Sequence, residues 1–167
     1  MEQDIILEAV KNLYYKYNIK INYYIGDGDS STYNKLVEIL PYGRNIIKLE
    51  CINHIMKNIR KNLENIKSNY GKKKAHFLSE NVILKICKKS RSIINNLSTS
   101  TAINMQAIKC IPFHCLDKHT NCPEEFCSRK NKISVEKEEK DNTFNLDSFE
   151  IIKNYFEKLS NKVDRLK

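Results

Sequence analysis

Lys20-Ile21-Asn22-Tyr23-Tyr24-Ile25-Gly26-Asp27-Gly28-Asp29-Ser30-Ser31 is the stretch whose reading decides the fold. Residues 20–25 are rich in aromatic and β-branched types, which predicts a strand over 20–26. Beyond the acidic turn, Tyr33, Leu36, Val37 and Leu40 recur at three- and four-residue spacing, which predicts a helix over 31–40. Ser30 or Ser31 is placed to cap that helix by accepting backbone N–H bonds. Pro41-Tyr42-Gly43 ends it, because proline cannot continue the helical bonding pattern and glycine relieves the turn. Arg44 to Leu49 then carries the mostly apolar run Ile46-Ile47-Lys48-Leu49, a second strand. Strand, helix and strand with a crossover of this length predict a parallel pair. Asp27 thereby falls at the C-terminal end of the first strand, where open α/β sheets hold their chemistry.

Outward from this unit the chain reads as helical. Ile6, Ala9, Val10, Leu13 and Tyr17 share a stripe over residues 3–17. Ile52, Ile55, Met56, Ile59, Leu63 and Ile66 form the apolar side of a helix over 51–66, followed by a basic loop at 68–74. A further helix starts after Ser79, and Ser98 to Thr101 breaks the pattern. Residues 102–113 are a short helix or its remnant, with Cys87 and Cys110 in apolar helical settings that read as core. The charged stretch 129–142 lacks apolar periodicity and reads as a linker. Phe144, Leu146, Phe149, Ile152, Phe156 and Leu159 then mark a terminal helix over 146–160. The expected organisation is an α/β portion with a Cys/His segment over 1–128, the linker, and a helical segment over 143–167.

Charge narrows the choice of partner. Lys and Arg number 29 against 20 acidic residues, a formal net charge of +9, which favours nucleic acid or an anionic surface as partner. Lys57, Arg60, Lys61 and Lys67, the run Lys72-Lys73-Lys74, and Lys85, Lys88, Lys89 and Arg91 are candidate phosphate contacts. Phosphate contacts give salt-sensitive affinity with little base information, and no recognition-helix, finger or aromatic-stacking pattern accompanies them. Nonspecific DNA is therefore the expected partner, and the three-lysine run is a weak hint of nuclear import. No run of 18 apolar residues occurs, which excludes a membrane-spanning helix. Met1-Glu2-Gln3-Asp4-Ile5 has no basic stretch followed by an apolar core, so secretion is not expected.

In an unsecreted chain, six cysteines read as thiols or metal ligands rather than disulfides. Four of the six lie within residues 110–127. His114, His119, Cys122 and Cys127 offer two nitrogens and two sulfurs, a donor set suited to closed tetrahedral zinc. Cys115 can replace His114 in that set. Alternatively, His119 and Cys122 pair with Cys51 and His54, which stand three residues apart at the start of a helix. The plain alternative to all of these is buried thiols with an exposed histidine. Asp27, Asp29, Ser31 and Glu38 match the spacing of a calcium loop, but Thr32 stands where that loop needs glycine, so calcium is excluded.

The segments Tyr24-Ile25-Gly26-Asp27-Gly28-Asp29-Ser30-Ser31-Thr32-Tyr33, Pro41-Tyr42-Gly43 and Lys48-Leu49-Glu50-Cys51-Ile52-Asn53-His54 together resemble the Mutator-like transposase domain of eukaryotic DNA transposons. His119-x-x-Cys122-Pro123 and Cys127 resemble the same family's cysteine-containing region. The resemblance extends in scattered form from residue 5 to residue 160. It implies a partial ribonuclease H-like core with parallel strands and flanking helices, followed by a mostly helical Cys/His segment. It also implies DNA cutting and joining by three carboxylates with magnesium or manganese, a nuclear protein, and self-association. Asp27 matches the family's second catalytic aspartate. The first aspartate and the glutamate of an Asn-x-x-Glu-x-x-Asn helix have no match in this chain, and the helix at 146–160 resembles the lead-in to that region. The expectation is a fragment or degenerate copy with one of three catalytic carboxylates, inactive alone. The alternatives are a domesticated DNA-binding or zinc-stabilised module, and part of a competent transposase whose other carboxylates lie elsewhere.

Overall fold

The computed structural model describes residues 2–27, 30–74, 78–114, 118–119, 121–128 and 146–166. They fall into two units, Met1–His54 with Leu166, and Ile55–Arg165. Among the described residues the fold is mostly helical α/β with one two-stranded parallel sheet. The linker expected over 129–142 lies outside the described residues, as do Gly28, Asp29 and Cys115.

In the first unit, helix α1 (Glu2–Tyr17) turns Val10 inward, and Ile6, Leu7 and Tyr14 join it against Leu36, Leu40, Tyr42 and Ile46. The expected stripe also held Ala9 and Tyr17, but both are exposed. Ala9 lies about 100° around the helix from Val10. Tyr17 stands where the helix stops, because Asn18 adopts φ 55°. Asparagine tolerates this left-handed conformation, which closes helices. The Asn18 N–H reaches the Tyr14 carbonyl at 2.9 Å, and the Ile19 N–H reaches that of Leu13 at 3.0 Å.

Strand β1 (Tyr23–Gly26) pairs in parallel with β2 (Ile47–Glu50), in the register Tyr23↔Ile47 to Gly26↔Glu50, and helix α2 (Ser31–Ile39) crosses between them. Both strands start later than their composition suggests. The Ile21 N–H donates to the Tyr42 hydroxyl at 3.4 Å, so the ladder begins only at Asn22, whose carbonyl accepts from the Ile47 N–H. A 3-10 turn over Gly43–Asn45 occupies the place where β2 was expected to begin.

Gly43 has a steric reason to be glycine. A Cβ there would lie 2.6 Å from the Leu36 carbonyl oxygen and from Cα and O of Val37. All three are backbone atoms of α2, so none can swing aside as a flexible side chain would. Gly43→Ala is expected to destabilise the chain by about 1–3 kcal/mol, as overpacking does elsewhere. Urea unfolding measures this, and an unchanged midpoint would mean that the end of α2 yields freely.

Helix α3 (Ile52–Lys74) belongs to the second unit from Ile55 onward and buries Ile55, Met56, Ile59, Leu63 and Ile66, as the spacing predicts. The basic loop expected at 68–74 is instead the last part of this helix. One glycine in a helix costs only about 1 kcal/mol, and the surrounding lysines favour helix. Helix α4 (Glu80–Asn95) is capped by Ser79, whose hydroxyl accepts from the Val82 N–H at 3.3 Å. The break before α5 (Thr101–His114) is held by the buried Asn104 side chain, which donates to the Ser98 carbonyl at 2.8 Å and accepts from the Ser98 N–H at 2.7 Å. Helix α6 (Leu146–Ser160) packs on α5, with the Phe113 and Phe149 rings edge to face at 5.2 Å. Cys110 is buried as expected, whereas Cys87 is half-buried, and burial raises both thiols above their usual range. No helix among the described residues is long and apolar enough to cross a membrane.

Candidate metal centre and the Asp27 turn

Asp27 follows β1 directly and is exposed. The sheet holds the strand on its N-terminal side firmly, since Gly26 pairs with Glu50 and its carbonyl accepts from the Cys51 N–H at 2.8 Å. At the start of α2, Ser30 does not make the expected cap. Ser30 sits in a helical conformation at the start of α2 without a side-chain cap bond. Its hydroxyl instead accepts from Nζ of Lys48 on β2 at 2.8 Å. The Ser31 hydroxyl accepts from Gln3 Nε2 at 3.1 Å. The serines thus tie α2 to β2 and α1.

The stronger constellation lies in the second unit. His114 is the last residue of α5, and His119 follows five residues later. The Cys122 N–H donates to the His119 carbonyl at 3.1 Å, and a 3-10 turn over Glu124–Phe126 delivers Cys127. Ligand atoms of His114, His119, Cys122 and Cys127 all lie within 4.8 Å of one another. Both cysteines are buried and both histidines are half-buried. The two histidine Nδ1 atoms are 3.0 Å apart, Cys127 Sγ is 3.4 Å from His119 Nδ1, and Cys122 Sγ is 3.7 Å from His114 Nδ1. Bonds of about 2.0–2.1 Å to nitrogen and about 2.3 Å to sulfur give a zinc tetrahedron edges of about 3.3 Å N–N and about 3.6 Å N–S. The observed separations cluster around those edges, so this His2Cys2 group can hold a metal ion.

Burial, in the company of the Cys110 and Cys127 thiols, pushes the Cys122 thiol up to about 12. Without a cation the pocket therefore favours the neutral thiol, and an incoming metal must displace its proton. Cys110, Cys122 and Cys127 form one buried cluster, yet Cys110 is not one of the four donors. Its Sγ bonds to the Asn121 carbonyl at 2.9 Å.

Among the described residues the cluster contains His114, whereas Cys115, the alternative donor, lies outside them. Cys51 and His54 are half-buried residues of the first unit. Arg60 and Lys89, both candidate phosphate contacts, are engaged within the chain. Arg60 bridges Glu64 and Glu80, both at 2.7 Å, and Lys89 donates to the Phe126 carbonyl. The roles of Lys89, Gln106 and Cys110 around the centre had no signal in the sequence, because helical residues far from the ligands reveal no such contacts by spacing.

A family model for Mutator-like transposase matches residues 1–127, from α1 through the fourth donor of the cluster. The match takes in the parallel strand pair, Asp27, Cys51, His54 and all four clustered residues, and α6 lies beyond it. No curated protein and no solved structure matches the chain. Sequence segments, strand topology and the family match agree: this chain belongs to the Mutator-like transposases.

Proposed function

We propose that the chain is a portion of a DNA transposase that contributes one carboxylate, Asp27, to a metal-dependent phosphoryl-transfer centre and carries structural zinc in its helical unit. The observation that carries this reading is the place of Asp27, at the C-terminal end of a strand in a parallel pair. That is where a ribonuclease H-like core, of which β1, α2 and β2 would be a part, holds a catalytic aspartate. Magnesium or manganese bound there would stabilise the attacking and leaving oxygens of the transferred phosphoryl group, and several carboxylates are needed to hold such ions. Among the described residues, the one group of three or more His, Cys, Asp or Glu able to hold an ion is the His2Cys2 cluster, not one around Asp27. On this reading the chain alone is inactive, with the remaining carboxylates supplied from elsewhere. Zinc in the cluster fits the donor set and the measured separations, and its task there is structural because all four positions are filled by protein. The setting is the nucleus, where the net +9 charge favours DNA without sequence preference.

Incubated with supercoiled plasmid in magnesium or manganese, the purified chain is expected to leave the DNA uncut. Metal-dependent nicking that Asp27→Ala abolishes would overturn the claim of inactivity. Duplex binding should be weak and salt-sensitive, and engagement of three phosphates would lower affinity about fortyfold between 50 and 200 mM salt. Equal affinity at the two salt concentrations, or strong preference for one sequence, would contradict nonspecific binding. The second reading, a zinc-stabilised module retained without transposition, is favoured by the cluster itself. It would be selected by a folded, zinc-bound, DNA-binding chain whose flanking coding sequence lacks the other carboxylates.

A further inference from the structure

Each cysteine of the metal centre is preceded by a residue whose backbone carbonyl is held by a neighbouring helix. The Asn121 carbonyl, just before Cys122, accepts from Nε2 of Gln106 and bonds to Sγ of Cys110, both on α5 and both at 2.9 Å. The Phe126 carbonyl, just before Cys127, accepts from Nζ of Lys89 on α4. The N–H at the other end of each peptide unit is also held. The Cys122 N–H donates to the His119 carbonyl at 3.1 Å, and the Cys127 N–H donates to the Glu124 carbonyl at 3.2 Å.

A peptide unit is planar, so fixing its oxygen and its N–H fixes the Cα of the following residue. For both cysteines, that leaves φ and the side-chain torsion as the main freedoms for aiming Sγ. Partners beyond the ligands set metal affinity in this way, and their removal typically costs 10–100-fold. Cys110, bonded to a carbonyl, is also thereby kept from competing as a fifth donor.

We propose that Lys89, Gln106 and Cys110 are positioning residues of the metal centre, which aim Cys122 and Cys127 by holding the carbonyls of Asn121 and Phe126. This inference rests on the reading of the His2Cys2 cluster as a zinc site. The positioning residues contact no metal and act through the two peptide planes. Lys89 and Gln106 carry the test, because Gln106 is exposed and Lys89 is half-buried, so neither substitution opens a core cavity.

In the full chain, Lys89→Met and Gln106→Leu are each expected to weaken zinc binding about 10–100-fold, measured by competition with a chromophoric chelator. Lys89→Arg, which keeps a cationic donor, should recover most of the loss. Cobalt(II) supplies the readout that a merely stabilising role would leave unchanged. The parent chain should give the intense visible bands of a tetrahedral site, and the two variants should give weaker or displaced bands. Variants that match the parent in zinc affinity and cobalt spectrum, even with lower thermal stability, would overturn the inference while leaving the zinc site standing. A parent chain that binds neither ion would overturn both.

Discussion

Stripping zinc from the purified chain with a chelator is expected to lower its thermal midpoint by about 8–16 °C. A ligand that binds only the folded state stabilises by mass action, which is about 4 kcal/mol when free zinc stands a thousandfold above its Kd. A chain of this size shifts by about 2–4 °C for each kcal/mol. The loss should be local, because all four donors belong to the second unit. Hydrogen exchange should accelerate in α5 and in residues 121–128, while α1, α2 and the strand pair keep their protection. Cys122→Ala should reproduce the effect without chelator and make the chain insensitive to it. A chain purified without chelator that contains no zinc by elemental analysis, and whose midpoint chelation leaves unmoved, would defeat the prediction.

Phe156→Ala should cost about 3–5 kcal/mol, the usual range for deleting a buried aromatic ring. Phe156 is 0% exposed and Ile152 is 1% exposed, both on the helix that packs against α5. Alanine would leave a void the size of a phenyl ring, which the close-packed surroundings fill only in part. Phe156→Leu keeps most of the volume and should cost well under half as much. Urea unfolding of the two variants gives the comparison. A cost below about 1 kcal/mol for alanine would mean that α6 is dispensable to the unit. The result bears on the family assignment too, since α6 lies beyond the matched residues. A large cost would show that the second unit needs residues outside the matched segment in order to fold.

What the sequence made legible follows from how local each signal is. Phe149, Ile152, Phe156 and Leu159 repeat at helical spacing, and α6 spans Leu146–Ser160 as that spacing predicts. The parallel pair was legible because a crossover helix between two apolar runs leaves little choice. The end of α3 was not, because Gly71 suggests a break whose cost is too small to overcome the residues around it. That Ser30 makes no cap was not legible either, because its hydroxyl serves Lys48, a strand residue that local pattern cannot bring near. The metal centre was half legible. Four donors of the right chemistry could be named from their types and intervals. Whether His119 and Cys122 join His114 and Cys127 or Cys51 and His54 is a question of three-dimensional distance, and sequence interval does not encode it. Lys89 looked like one more phosphate contact, and only the packing of α4 beside the Cys127 turn assigns it to a carbonyl.

The compact placement of the four donors along the chain has a consequence for the order of assembly. His114 to Cys127 spans fourteen residues, whereas α6, which packs on the same helix, begins only at Leu146. A loop of about ten residues closes in about 10–100 ns, far faster than translation adds the next amino acid. At about 5–20 residues per second, the ribosome takes about 2–7 s to pass from Cys127 to Ser160. Donors that bind an ion would therefore meet it before α6 can pack on α5, and the metal would be an early nucleus instead of a late insertion. Growth conditions that starve the nascent chain of the ion should then lower the yield of folded protein, and adding metal to the finished, misassembled product would recover only part of it.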